Sequence, residues 1–327
     1  MSKMSIEWSP GSLLNRCRVS GATMGTRYDV QFYAPLHTDL KTLAAELDAA
    51  VSAVDEQMSN WKTDSNLSRL NRAEPGCWVP VSANLAAVLV RALEIGRETD
   101  NAFNIGIGEL VQAWGFGPAS PLHADHGDAR GAAPLLPVGD LLEVDVQHGH
   151  ARKRASVAFD LCGIAKGFGV DELARVLDRH RIGAWLVGID GEMRSRGRKA
   201  DGSAWAIAVE APDDERRDIF SVIELGDAAV ATSGDYRHWR NVGGTRVSHT
   251  MDPRAGLPLC GEIASVTVIA PTCMDADAYA TALMVLGIEA GSDFARRHNL
   301  DAFFIVRDGD AFRGIGTGCF LEMQPAA

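Results

Sequence analysis

Apolar residues along this chain recur at two spacings, and those spacings divide it into helices and strands. Between 38 and 58, Leu40, Leu43, Leu47, Val51 and Val54 fall three or four apart, which predicts an amphipathic helix. Leu85, Val88, Leu89, Ala92 and Leu93 predict a second over 82–99. Alternation over 26–33 (TRYDVQFY) predicts a strand, and further strands are expected at 155–160, 184–189, 204–210, 219–225, 228–231 and 262–270. A helix is expected over 164–180, after the Cys162-Gly163 turn, and two more over 274–286 and 288–298. Strands at 301–307 and 310–315 follow, joined through Asp308-Gly309. Helices and strands mix without a strict βαβ repeat, so the expected fold class is α+β. Residues 119–139, rich in Pro, Gly, Ala and His, read as an exposed loop. Their HADHGD stretch is a poor metal site, because irregular loops position ligands poorly.

Composition narrows the function. The 327 residues are 46% apolar and 23% charged, ordinary for a globular protein with a large core. A net charge of −11 argues against a general nucleic-acid binder, which needs a basic face. The six cysteines form no C-x-x-C pair, which disfavours a zinc ribbon and fits reduced thiols. No apolar run is long enough for a membrane span or a signal-peptide core, and Cys17 follows Arg16 rather than an apolar stretch. As written the chain is expected to be cytoplasmic, or periplasmic if an export signal has been removed.

Five segments carry candidate chemistry. In FDLCGIAKGFGVD (159–171) a Gly-rich turn opens a helix; its N–H groups and Lys166 suit a phosphate, although a plain strand-to-helix turn reads the same way. The spacing is neither that of a Walker loop nor G-x-G-x-x-G. In CMDADAYAT (273–281), Asp277 and Thr281 stand four apart on one helix face and offer hard oxygens suited to Mg²⁺. Asp275 should point elsewhere, and both acids also suit a helix start. Over 229–259, His249 sits among polar turns near Asp252, as a general base or as a structural histidine. Gly21 and Gly25 flank Thr23-Met24 in SGATMGT, a backbone clamp on a flat ligand or a bulged turn. Phe103, Trp114 and Phe116 within 101–118, and Trp61, could frame a ring system, with core packing the default for Trp114 and Phe116. No G-x-S-x-G nucleophile elbow is present.

In order and spacing, GATMGT, MSNW-x-x-DSNLSRLN, FNIGIGELVQAWGFGP, FDLCGIAKGFGVD, VATSGDYR, SHTMDPRAG and DADAYAT resemble the FAD:protein FMN transferase (ApbE) family over roughly residues 18–318. The resemblance implies one bilobal, T-fold-like α+β unit with FAD in a cleft, spanning 18–320 between an N-terminal extension (1–17) and a short tail (321–327). It implies Mg²⁺ held by the Ala165 carbonyl, Asp277 and Thr281, and FAD contacts at Met24, Trp61, Ala102, Phe103, Asn104, Lys166 and Asp171. His249 matches the family's base. The implied reaction moves FMN from FAD to a Thr or Ser of an acceptor flavoprotein, within a motif of Asp or Ser, Gly, Ala or Ser, Thr, then Ser or Thr. An FAD pyrophosphatase and a non-catalytic FAD-binding protein are the alternatives. Asn104 departs from the family's usual Asp, and Gly188-Ile189-Asp190-Gly191 from its usual Gly-Gly.

Overall fold

The computed structural model describes residues 4–9, 14–118, 134–213, 218–242, 244–309 and 311–323. The HADHGD stretch therefore lies outside the described residues. The N-terminal part runs β1 (Ser5–Ser9), β2 (Leu14–Thr23), β3 (Thr26–Pro35), α1 (Leu40–Met58), α2 (Asn66–Arg72), β4 (Val79–Pro80), α3 (Ala83–Glu98), α4 (Gly108–Ala113), α5 (Val138–Leu141), β5 (Leu142–Asp145) and β6 (His150–Lys153). It continues through α6 (Ala165–Arg179), β7 (Trp185–Ile189), β8 (Glu192–Arg196), β9 (Trp205–Glu210), β10 (Ile219–Leu225), β11 (Ala229–Gly234), β12 (Trp239–Val242), β13 (Thr245–Ser248), β14 (Met251–Asp252) and β15 (Leu257–Pro258). The last elements are β16 (Ile263–Ala270), α7 (Cys273–Leu286), α8 (Ile288–Arg297), β17 (Asp301–Asp308) and β18 (Ala311–Gly316).

Nine strands form one antiparallel sheet in the order β1-β2-β3-β7-β8-β11-β16-β17-β18. β2 begins at Leu14 and pairs with β1, so both lie within or across the expected N-terminal extension. Side-chain alternation gives the sheet two buried faces. On β17, Ala302, Phe304 and Val306 join the core shared with α3 and α7, while Phe303 and Ile305 face the core shared with the β9–β10 hairpin. Helix α7 is buried on nearly every side, which explains why its sequence carries no polar face. No helix among the described residues is long and apolar enough to cross a membrane.

The expected strand at 155–160 is a correction. Val157, Phe159 and Leu161 are buried as one face of a strand would be, but Asp160 between them is buried too. Their backbone, however, finds partners outside any sheet: the Phe159 N–H donates to Asn71 Oδ1 on α2 (2.8 Å), and the Asp160 N–H to the Ile105 carbonyl (2.7 Å). The segment bends at 154–156 and belongs to no sheet.

Two hairpin turns stand side by side at the end of the sheet. Thr23 pairs with Thr26, leaving Met24 (φ 45°) and Gly25 (φ 73°) as a two-residue turn at positive φ, the twist-matched hairpin geometry. Asp190 (φ 62°) turns β7 into β8, and the Thr26 hydroxyl donates to Asp190 Oδ1 (3.3 Å).

Candidate active site

A cavity of about 1100 Å³ opens beside these turns, just above the usual range for ligand pockets. It is lined by Met24, Trp61, Ala102, Phe103, Asn104, Ala165, Lys166, His249, Asp277 and Thr281, ten of the residues singled out from sequence. Asp171 is the exception and a correction to the expected contact set. Its carboxylate is buried behind the α6–α7 contact, accepting from the N–H groups of Cys273 and Met274 (both 3.0 Å) and pairing with Arg194 (2.6 Å). It anchors the start of α7 and lies outside the cavity lining.

The first turn of α6 lies against α7 because glycine permits it. A Cβ at Gly167 would stand 2.3 Å from the Cys273 carbonyl oxygen and 2.8 Å from Asp277 Cβ. A Cβ at Gly163 would stand 3.0 Å from Thr281 Oγ1. Ala165 falls between these two contacts, so the three expected cation-holding residues come from adjoining surfaces. The Gly167 N–H donates to Asp277 Oδ2 (3.0 Å), and Thr281 Oγ1 meets Ser233 Oγ at 3.0 Å. Asp275 points away, to Arg91 (2.7 Å).

Burial pushes the Asp277 carboxyl up to about 7, and the Glu192 charge adds to the rise against the pull of Lys166. Lys166 is itself desolvated, yet its ammonium is held well above its ordinary value by Glu192, Asp277 and Asp190. Buried carboxylates thus outnumber the ammonium beside them, and Glu192 Oε2 has no hydrogen-bond partner. That charge balance fits a hard divalent cation. No group of three His, Cys, Asp or Glu side chains suited to a metal occurs among the described residues. A cation here would rest on one carboxylate and neutral oxygens, the set that Mg²⁺ completes with water and phosphate.

The half-buried His249 ring shares its stretch of cavity wall with Phe116, ring centroids 6.3 Å apart, and with His238 at 5.5 Å. Its Nδ1 lies 3.1 Å from the His238 carbonyl, which assigns the proton to Nδ1 and leaves Nε2 as the lone-pair nitrogen. Desolvation, then the His238 charge, push its pKa down to about 4, so the ring is neutral at pH 7.

The aromatic frame divides as well. Trp114 is core, packed with Leu110 and Met251, while Phe116 lines the cavity. Trp61 is 68% exposed at the cavity edge. The amide of Asn104 is spent on its own loop: Oδ1 accepts from the Gly106 N–H (2.7 Å), and Nδ2 donates to Asn101 Oδ1 and the Leu136 carbonyl. Its place on the wall is therefore through its side-chain surface and loop shape. Thr23 is buried and outside the lining, although Ser20-Gly21-Ala22-Thr23 nearly matches the acceptor motif. Sequence reading missed Glu192, Ser233, His238 and the Asn60–Asp160 pair (2.7 Å), all on the cavity wall. The polar Thr232-Ser233-Gly234 end of β11 was a signal for Ser233, and the MSNW and FDLCG stretches held Asn60 and Asp160; Glu192 and His238 carried none.

Residues 24–304 match the sequence profile of the ApbE family. The chain is 36% identical to the FAD:protein FMN transferase of Vibrio cholerae, covering 92% of this chain and 91% of that one. It is 33% identical to that of Escherichia coli K12, over 90% and 85% of the two. The fold superposes on the flavin transferase ApbE of Vibrio cholerae with a TM-score of 0.82, at 35% identity, covering 97% of this chain and 99% of that one. Pseudomonas stutzeri flavinyl transferase ApbE in its apo form gives the same TM-score at 31% identity, covering 100% and 99%.

Proposed function

The chain belongs to the ApbE family, and from that membership we propose how its cavity works: as an FAD:protein FMN transferase, it moves the FMN half of FAD onto a Thr or Ser hydroxyl of an acceptor flavoprotein and releases AMP. The observation that carries this reading is the meeting, in one cavity, of the α6 turn, buried Asp277 beside Thr281, and a neutral His249.

The roles follow from charge and reach. Gly163 keeps the turn before α6 bare on the cavity wall, where Lys166 beside it can meet the FAD pyrophosphate, while Gly167 sits behind against α7. Ala165, Asp277 and Thr281 would hold Mg²⁺, which when bound neutralises the pyrophosphate and stabilises AMP as a leaving group. His249 Nε2 accepts the proton of the acceptor hydroxyl. The freed oxygen attacks the phosphorus that carries riboflavin, the phosphorus–oxygen bond to AMP breaks, and the bridging oxygen leaves with AMP. Phe103, Phe116 and Met24 offer apolar surface to the flavin, with Trp61 as a further ring at the cavity edge.

The test is mass spectrometry of a peptide bearing the acceptor motif after incubation with this protein, FAD and Mg²⁺. The expected result is one FMN per peptide on the motif Thr, abolished by EDTA. Release of free FMN and AMP with an unlabelled peptide would assign the cavity to hydrolysis instead.

A further inference from the structure

Lys166 stands between carboxylates on two elements. Its Nζ lies 2.6 Å from Glu192 Oε1 and 3.5 Å from Asp190 Oδ2, both on the β7–β8 hairpin. On its other side is α7, where Asp277 Oδ2 is bonded to the N–H of the very next residue, Gly167. Lys166 and Asp277 both line the cavity, and the ammonium's stem starts one residue from the N–H that Asp277 accepts. Glu192 is 3% exposed, and the hairpin it sits on is tied to the β2–β3 turn through Thr26 and Asp190. A flexible ammonium beside two buried carboxylates goes to whichever is better placed, and here the rigid hairpin holds it.

We propose that Glu192 is a positioning residue: it keeps the Lys166 ammonium on the β7–β8 hairpin and off Asp277, leaving that carboxylate open to a divalent cation while the ammonium stays beside the phosphates. This rests on the reading of Ala165, Asp277 and Thr281 as the cation site. Without Glu192 the hairpin keeps only the half-exposed Asp190 carboxylate, at 3.5 Å, and the ammonium swings onto buried Asp277, where it competes with the metal for the one carboxylate in the set. Glu192 thus acts through Lys166, and its own charge on the cation is secondary.

The test is a double-mutant cycle read by Mn²⁺ binding, followed by electron paramagnetic resonance on the protein without FAD. Glu192→Gln is expected to weaken Mn²⁺ binding by about ten-fold, and adding Lys166→Met to restore it to within about three-fold of the Lys166→Met single variant. A merely structural Glu192 would lower the melting temperature without this rescue. Equal weakening in both backgrounds, or none in either, overturns the proposal. If Glu192→Gln does not fold, Glu192→Asp replaces it: the charge stays but the carboxylate falls a methylene short, and the same loss and rescue are expected. Failure of the unmodified protein to bind Mn²⁺ would instead overturn the cation site beneath the proposal.

Discussion

His249 donates Nδ1–H to a backbone carbonyl and stays neutral far below the ordinary imidazole range. A base with a pKa of 6.5 in the free enzyme would lose activity as pH falls through 6.5; one held near 4 keeps its lone pair until pH approaches 4. The acid limb of kcat/KM at saturating Mg²⁺ is therefore expected well below 6.5, and a limb at 6.5 would remove the assignment. His249→Ala should lower kcat by about 10²–10⁴ with FAD affinity little changed. Loss of FAD binding with a normal rate at saturation would give the ring a binding role instead. Asp277→Asn keeps the shape and the acceptor for the Gly167 N–H but drops the charge. It should abolish Mg²⁺-dependent FMN transfer, and unchanged transfer would refute the metal assignment.

At the scale of elements, the site depends on how closely α6 and α7 approach. Gly167→Ala would place a methyl 2.3 Å from the Cys273 carbonyl, against backbone that cannot give without moving a helix. Overpacking of this kind costs about 1–3 kcal/mol, and thermal denaturation should show it together with weaker FAD binding. Asp171 holds the same joint from the other end. Asp171→Ala strands Arg194 and frees two N–H groups at the start of α7, so a loss of about 3–5 kcal/mol is expected in denaturant unfolding. A change under about 1 kcal/mol would show that water replaces the carboxylate at little cost.

For the molecule as a whole, the cavity draws its wall from both hairpin turns, the end of α1, the 101–118 segment, β9–β10 and the His249 region. A ligand that binds across all of them favours the folded state over the unfolded one. FAD with Mg²⁺ at a hundred times the dissociation constant should add about 2.7 kcal/mol to folding stability. Differential scanning calorimetry with and without the pair would measure the rise in melting temperature, and no rise would mean FAD does not bind there.

The amino-acid sequence alone determined the helices over 40–58, 83–98, 165–179, 273–286 and 288–297, and most long strands, because their periodicity is local and survives without a partner. It also placed Asp277 and Thr281 on one helix face and marked the glycine turn before them, since one turn of helix sets that geometry. The tertiary structure alone decided the sheet order, the irregular course of 155–160 and the short hairpins of β12–β15, whose pairings are not written in any local period. It also decided the company each charge keeps. Glu192 meets Lys166 across 26 residues, Asp160 meets Asn60 across 100, and Asp171 meets α7 across 102. Burial and opposing charge act through space, and only the folded chain brings those groups within range of one another.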